Sequence, residues 1–212
     1  LGATFVAVDP LRTVIPVSGT AIRNVPLRHF AYLPPCVRAY FVRRVCIFGP
    51  ESTGKSTLAT QLVHHFDAVL VPEYGRTYTE QHGQDASTAQ DMLNIAHGHL
   101  ALRRAIESQA DSLVIEDTDP VLTAIWSDIL AGHRDPWFDR FNDYPDLYLF
   151  CDIDLPWVRD DVRYFGDPAA RLRFHEACER ELIARKVNFV RISGTYEQRL
   201  AKAIEAVEAL LR

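Results

Sequence analysis

The chain has 212 residues, a formal charge of −5 and ordinary apolar content, enough for one full domain with a sizeable core plus a fragment of another. No apolar run reaches the roughly 18 residues that a membrane-spanning helix needs, and the acidic balance argues against a nucleic-acid partner held by phosphate neutralisation. Cys36, Cys46, Cys151 and Cys178 are widely spaced and never form CxxC, so they read as buried or inert thiols in a reducing cytoplasm. The opening "LGATFVAVDPLRTVIPV" lacks the charged head and apolar run of a signal peptide. It also lacks an initiator methionine, which reads as the trimmed end of something longer.

In chain order, "ATFVAV" and "TVIPV" are candidate strands, and "SGTAIRN" opens a short helix capped by Ser18. "PPCVRAYFVRR" reads as a helix with Pro35 in its first turn. From Arg44 the pattern becomes strand then helix, repeated. "RVCIF" is an apolar run of the kind a buried parallel strand shows, and residues 54–66 carry helical spacing at Leu58, Leu62 and Phe66. "DAVLVPEYG" is a second strand stopped by Pro72. Ser87 and Gln90 suggest a capping box for a long helix over 87–110. "DSLVIED", "DLYLFCDID" and "NFVRI" are three further strands, and an amphipathic helix covers 196–211. This alternation predicts an α/β fold: a P-loop kinase-like parallel sheet of about five strands with helices on both faces, beyond whose carboxyl ends a ligand would bind.

"GPESTGKST", residues 49–57, has the spacing of the phosphate-binding loop, between an apolar strand and a helix. A phosphate is a compact multiple anion, and a glycine-rich turn lets backbone N–H groups and a helix N-terminus surround it. The loop assigns ATP contacts to Gly49, Glu51, Ser52, Thr53, Gly54, Lys55, Ser56 and Thr57. Lys55 would bridge the β- and γ-phosphates and the Ser56 hydroxyl would ligand Mg²⁺. A second metal anchor is expected at the end of an apolar strand, where "LVIED" supplies Asp117. Asp119, in the following turn, is a candidate to face the substrate or, alternatively, an N-cap for the next helix.

The acceptor is harder to read. No glutamate follows Asp117 to activate water, and neither NKxD nor LSGGQ is present. A kinase needs instead a carboxylate near the acceptor hydroxyl and arginines that close over the phosphates. "PEYGR" places Glu73, Tyr74 and Arg76 at the rim of the same crevice, with Glu73 suited to take or orient a proton unless it only pairs with Arg76 in solvent. "PWVRDDVRYFGDPAARLRF" lies where small P-loop kinases carry a lid; Arg163 is the first choice for a phosphate contact, followed by Arg159, Arg171 and Arg173. Trp126, Trp137 and Tyr144 are each either packing residues or a stacking surface for an aromatic substrate. "AHGH" at 96–99 lacks the first histidine of an HxGH phosphate motif, so His97 and His99 read as helix residues.

"GPESTGKST", "PEYGR", "IEDTD" and "WVRDDVR", in this order and spacing, resemble the ribosylnicotinamide kinase domain of the NadR family over residues 44–212. The resemblance implies transfer of the ATP γ-phosphate to the 5′-hydroxyl of nicotinamide riboside, for NAD salvage. It implies Lys55 and Ser56 on ATP and Mg²⁺ and Asp117 near the metal. Glu73, Tyr74, Arg76 and Asp119 would surround the riboside, with Arg163 in the lid. "VSGTAIR", 17–23, resembles the ISxTxIR signature near the C-terminal end of nicotinamide mononucleotide adenylyltransferases, which NadR proteins place directly before the kinase. Residues 1–43 are therefore expected to be the remnant of that domain and 44–212 the kinase. The HxGH-bearing front half is absent here, so adenylyltransferase activity is not expected from this polypeptide alone. Association with a missing adenylyltransferase portion, or with a second copy, stays open. So do a kinase for another nucleoside or nucleotide, and a sensing module that binds ATP and NAD-related ligands without turnover.

Overall fold

The computed structural model describes residues 3–4, 6, 8–83, 87–157 and 167–212. Five strands form one parallel sheet: β1 (Arg43–Phe48), β2 (Val69–Val71), β3 (Leu113–Asp117), β4 (Leu147–Cys151) and β5 (Phe189–Ile192), ordered β2-β3-β1-β4-β5. Between them run α3 (Lys55–Phe66), α4 (Tyr74–His82), α5 (Ala89–Glu107), α6 (Pro120–Leu130), α7 (Trp137–Arg140) and α8 (Pro168–Ala184), and α9 (Tyr196–Leu211) follows β5. The chain winds to one side of β1 through β2 and β3, then to the other through β4 and β5. The carboxyl end of β1 thus lies at the point where such sheets hold ligands.

Strand alternation builds two cores. Val45 and Ile47 of β1 face Leu58 and Leu62 of α3 and Ala203 and Val207 of α9. Cys46 and Phe48 face Leu100 of α5, Val121 and Ile125 of α6, and Phe174 and Cys178 of α8. Both faces of β1 are therefore covered, which is why its sequence shows no polar alternation. Cys46, Cys151 and Cys178 are buried and unbridged; burial pushes their thiols up, that of Cys151 to about 12. They are inert core side chains.

Ahead of the sheet lie α1 (Gly19–Asn24), a 3₁₀ segment (Pro26–Tyr32) and α2 (Pro35–Phe41). The Ser18 hydroxyl caps α1 by accepting from the Ala21 N–H at 2.9 Å. Phe30, Leu33 and Val42 join Val71, Ala110 and Val114 in one cluster, so this segment packs on the β2–β3 side of the sheet.

Three boundaries differ from the sequence reading. The described residues of "ATFVAV" and "TVIPV" form no strand. The Asp9 carboxylate instead accepts from the N–H groups of Thr13, Val14 and Ile15 at 2.7, 3.1 and 2.9 Å, closing a turn that leaves Val8, Leu11 and Val14 exposed. The helix of "PPCVRAYFVRR" stops at Phe41, because Arg43 and Arg44 already belong to β1 and the Arg44 N–H donates to Asp146. The capping box of α5 sits one residue later than expected. Thr88 accepts from the Asp91 N–H at 3.1 Å and Asp91 accepts from the Thr88 N–H at 3.0 Å.

Candidate active site

The loop between β1 and α3 turns on three left-handed or positive-φ residues. Gly49 has φ +134°, and a methyl there would come to 2.8 Å from the Cys151 carbonyl oxygen. Ser52 and Gly54 follow at φ 59° and 78°. The loop is then held from outside by two buried arginines. Arg171 of α8 donates to Ser52 O at 3.0 Å and Leu155 O at 3.1 Å. Arg199 of α9 donates to Thr53 O, Asp152 O and Gly194 O at 3.0, 3.0 and 2.9 Å, and pairs with Asp154. Carbonyl groups drawn outward in this way are what a backbone cradle for an anion requires. Lys55 opens α3, and its ammonium donates to Pro50 O at 2.8 Å.

Beside the loop is a cavity of about 210 Å³. Glu51, Ser52, Gly54, Lys55, Ser56 and Thr57 line its loop side, and Glu73, Tyr74 and Arg76 line it from the start of α4. The remainder comes largely from α5 and α6, including Met92, His99, Leu122 and Trp126. Burial pushes the Glu73 carboxyl above its ordinary range; Lys55 opposes the shift and Asp117 adds to it. The Tyr74 ring lies directly over Gly98, where any side chain would overlap it. Trp126 lines the cavity and also packs on Phe174, with ring centroids 4.6 Å apart. Lys55 and Glu73 thus line the same cavity.

Asp117 ends β3 opposite Ile47 of β1, next to the loop, and Glu116 points to the other face of the sheet. The Asp117 Oδ1 atom is buried and has no hydrogen-bond partner among the described residues. An orphaned carboxylate oxygen at the end of the strand paired with β1 suits a divalent cation. Among the described residues no group of three His, Cys, Asp or Glu could hold a metal by itself. Thr118, next in the chain, has φ 71°, a strained conformation for a β-branched residue, and lines the cavity.

Asp119 is placed differently from a substrate contact. It caps α6, accepting from the N–H groups of Val121 and Leu122 at 3.1 and 3.2 Å, and takes the Tyr148 hydroxyl at 2.6 Å. It is not among the residues lining the cavity. Burial pushes its carboxyl up to about 6, so folding favours the neutral form. The stabilisation from that shift is full below about pH 4 and is lost as pH rises through about 6, on the order of 3 kcal/mol. Asp119→Asn keeps a capping oxygen and should flatten this dependence. Thermal denaturation at pH 5 and pH 8 should show the wild-type protein losing more stability between the two than the variant.

Of the predicted lid arginines, Arg159 and Arg163 lie outside the described residues. Arg171 grips the loop from behind, and Arg173 is exposed near Asp167 at 4.0 Å. Tyr144 is a packing residue whose hydroxyl donates to Phe141 O, and Trp137 packs against Phe138 and Phe141. Arg199 was not singled out in the sequence, where it reads as one more charge on an amphipathic helix. Arg199→Met should cost about 2–4 kcal/mol in urea denaturation and weaken nucleotide binding in a calorimetric titration, because the lost bonds hold the phosphate loop.

A parallel sheet with a phosphate loop after β1, an acid ending β3 and a cavity between that loop and α4–α6 defines a P-loop protein of the kinase-like α/β fold class. A family model described as AAA domain matches residues 44–199, and the chain belongs to that family. The chain is homologous to NadR: it is 34% identical over its whole length to the trifunctional NAD biosynthesis/regulator protein NadR of Escherichia coli K12 and spans about half, 53%, of that relative. Among solved structures, a NadR protein in complex with NAD and AMP-PNP superposes with a TM-score of 0.78 at 25% identity, over 93% of this chain and 57% of that one. A NadR protein in complex with NR gives 0.81 at 24% identity, over 93% and 59%. Thymidylate kinase from Ehrlichia chaffeensis shares the fold at 0.54 and 17% identity, over 80% and 98%. No helix among the described residues is long and apolar enough to cross a membrane.

Proposed function

We propose that the chain transfers the γ-phosphate of ATP to the 5′-hydroxyl of nicotinamide riboside, giving nicotinamide mononucleotide. The observation that carries this reading is the single cavity onto which both Lys55 and Glu73 open, with Tyr74 and Trp126 beside them. Its context is homology to NadR proteins, one of which is described in complex with NR and another with NAD and AMP-PNP.

In this reading the loop from Gly49 to Thr57 holds the triphosphate, and Lys55 leaves Pro50 O to sit between the β- and γ-phosphates. Glu73 orients the sugar hydroxyl and receives its proton as the oxygen bonds to the γ-phosphorus, while the bond to the bridging oxygen breaks and ADP departs. Tyr74 and Arg76 position the riboside, and Trp126 offers a ring face to its base. Ser56 and Asp117 would hold Mg²⁺, which would supply charge neutralisation to the transferring group. Arg163 is assigned to the lid. Asp119 acts through α6, which it caps, rather than by touching the riboside. Residues 1–43 are assigned to a nucleotidyltransferase-like remnant, of which Phe30, Leu33 and Val42 pack beside the sheet, and 44–212 to the kinase domain.

The test is ATP-dependent conversion of nicotinamide riboside by the purified chain, followed by chromatography of the nucleotide product. Product from nicotinamide riboside upholds the reading. Product only from other nucleosides would move the acceptor, and tight binding with no product would make the protein a sensor.

A further inference from the structure

Helices α4 and α5 approach each other at two glycines, and the two differ in kind. A methyl on Gly75 of α4 would stand 3.6 Å from Ile95 Cγ2, an ordinary contact. Gly98, in the interior of α5, has no room for one. A carbon there would overlap Cε1 and Cζ of Tyr74 and lie 2.7 Å from Cδ1, all atoms of the ring. Gly98 has no positive φ, so no turn calls for a glycine, and alanine would favour the helix more. What the glycine supplies is a seat for the Tyr74 ring, and Tyr74 lines the cavity. One turn along α4, the buried Tyr78 donates its hydroxyl hydrogen to Asp91 at 2.9 Å and accepts from the Asn94 amide at 3.2 Å. These bonds tie α4 to α5 beside the seat. A methyl group intruding at position 98 therefore meets a helix already held, and the part left to give is the ring.

Resting on the riboside reading above, we propose that Gly98 is a positioning residue: by letting the Tyr74 ring lie against α5, it keeps the acceptor's part of the cavity open. Displaced, the ring would enter the space that Glu73, Arg76 and Trp126 also line. The phosphate loop takes no part in the contact, so the nucleotide should bind as before. The seat also gives "AHGH" a reading inside a helix: the His97 ring meets Trp137 edge to face, centroids 4.8 Å apart, and Gly98 receives Tyr74.

The experiment is a double-mutant cycle of Gly98→Ala and Tyr74→Ala, read as kcat, KM for nicotinamide riboside, KM for ATP and melting temperature. Gly98→Ala alone should raise KM for the riboside about tenfold or more, with KM for ATP within about twofold of wild type. In the Tyr74→Ala background the same substitution should change KM for the riboside less than about twofold, because the ring it displaces is gone. It should also raise the melting temperature there, as alanine for glycine does in a helix where nothing is overlapped. An unchanged riboside KM in the single variant would overturn the inference. So would equal losses in both backgrounds, which would trace the effect to α5 and not to the ring. A fall in kcat alone would overturn it too, since α4 would then have moved and carried Glu73 with it. A single variant that fails to fold while the double variant folds would reduce Gly98 to packing. If wild type does not phosphorylate the riboside, the riboside reading fails first and takes this inference with it.

Discussion

Lys55→Ala is expected to lower phosphoryl transfer by about 10²–10³-fold or more while leaving the fold nearly as stable as before. The two effects separate because of where the ammonium sits. Without nucleotide, Lys55 makes one neutral-acceptor bond, to Pro50 O at 2.8 Å, from a half-buried position at the head of α3. Losing such a bond costs about 1 kcal/mol. In the reaction the same charge would lie against an anion whose negative charge is being redistributed, in a cavity partly withdrawn from bulk solvent, where a fixed cation counts for more than in water. Steady-state rates and a thermal melt of the same preparation test both halves. Unchanged turnover would remove Lys55 from the mechanism.

Glu73→Gln is expected to cost about 10²–10⁴-fold in kcat, with the shape of the site preserved. Its pH signature is more telling than its size. Burial raises the Glu73 carboxyl, so the ionised form that can receive a proton appears only above the ordinary carboxylate range. Activity of the wild type should fall as pH drops through that raised value, and the glutamine variant should lack this acid limb. Stability runs the other way. A raised carboxyl stabilises the fold at low pH and ceases to as pH rises through the folded value, so Glu73→Gln should be at least as stable as wild type at pH 8. A variant that lost stability and activity in parallel at all pH values would mark Glu73 as structural.

How much of this was legible beforehand depended on the range of the interactions. "RVCIF" gave its strand and "GPESTGKST" its turn because both are local statements, one of burial on two faces and one of φ/ψ at Gly49 and Gly54. The last helix, Tyr196–Leu211, matched its expected span because an amphipathic repeat and a Thr195 cap are likewise local. The N-terminal "TVIPV" misled, since β-branched residues signal a strand only where a partner strand exists, and here the Asp9 carboxylate closes a turn instead. Asp119 reads from sequence either as a ligand contact or as an N-cap, and Pro120 beside it marks a helix start; the cap, together with Tyr148, takes both oxygens. Thr118 carried no sequence signal for its positive φ. His99 and Glu116 are 17 positions apart on different elements, and their pairing exists only once α5 lies on β3.

The two arginines behind the phosphate loop have a consequence for biosynthesis. Ser52 O and Thr53 O are gripped by residues 119 and 146 positions further on. A nascent chain that has emerged as far as β4 already owns the glycine motif and its flanking strand, but it lacks both clamps. Nucleotide capture should therefore begin late, after α9 has left the ribosome, rather than when the motif itself emerges.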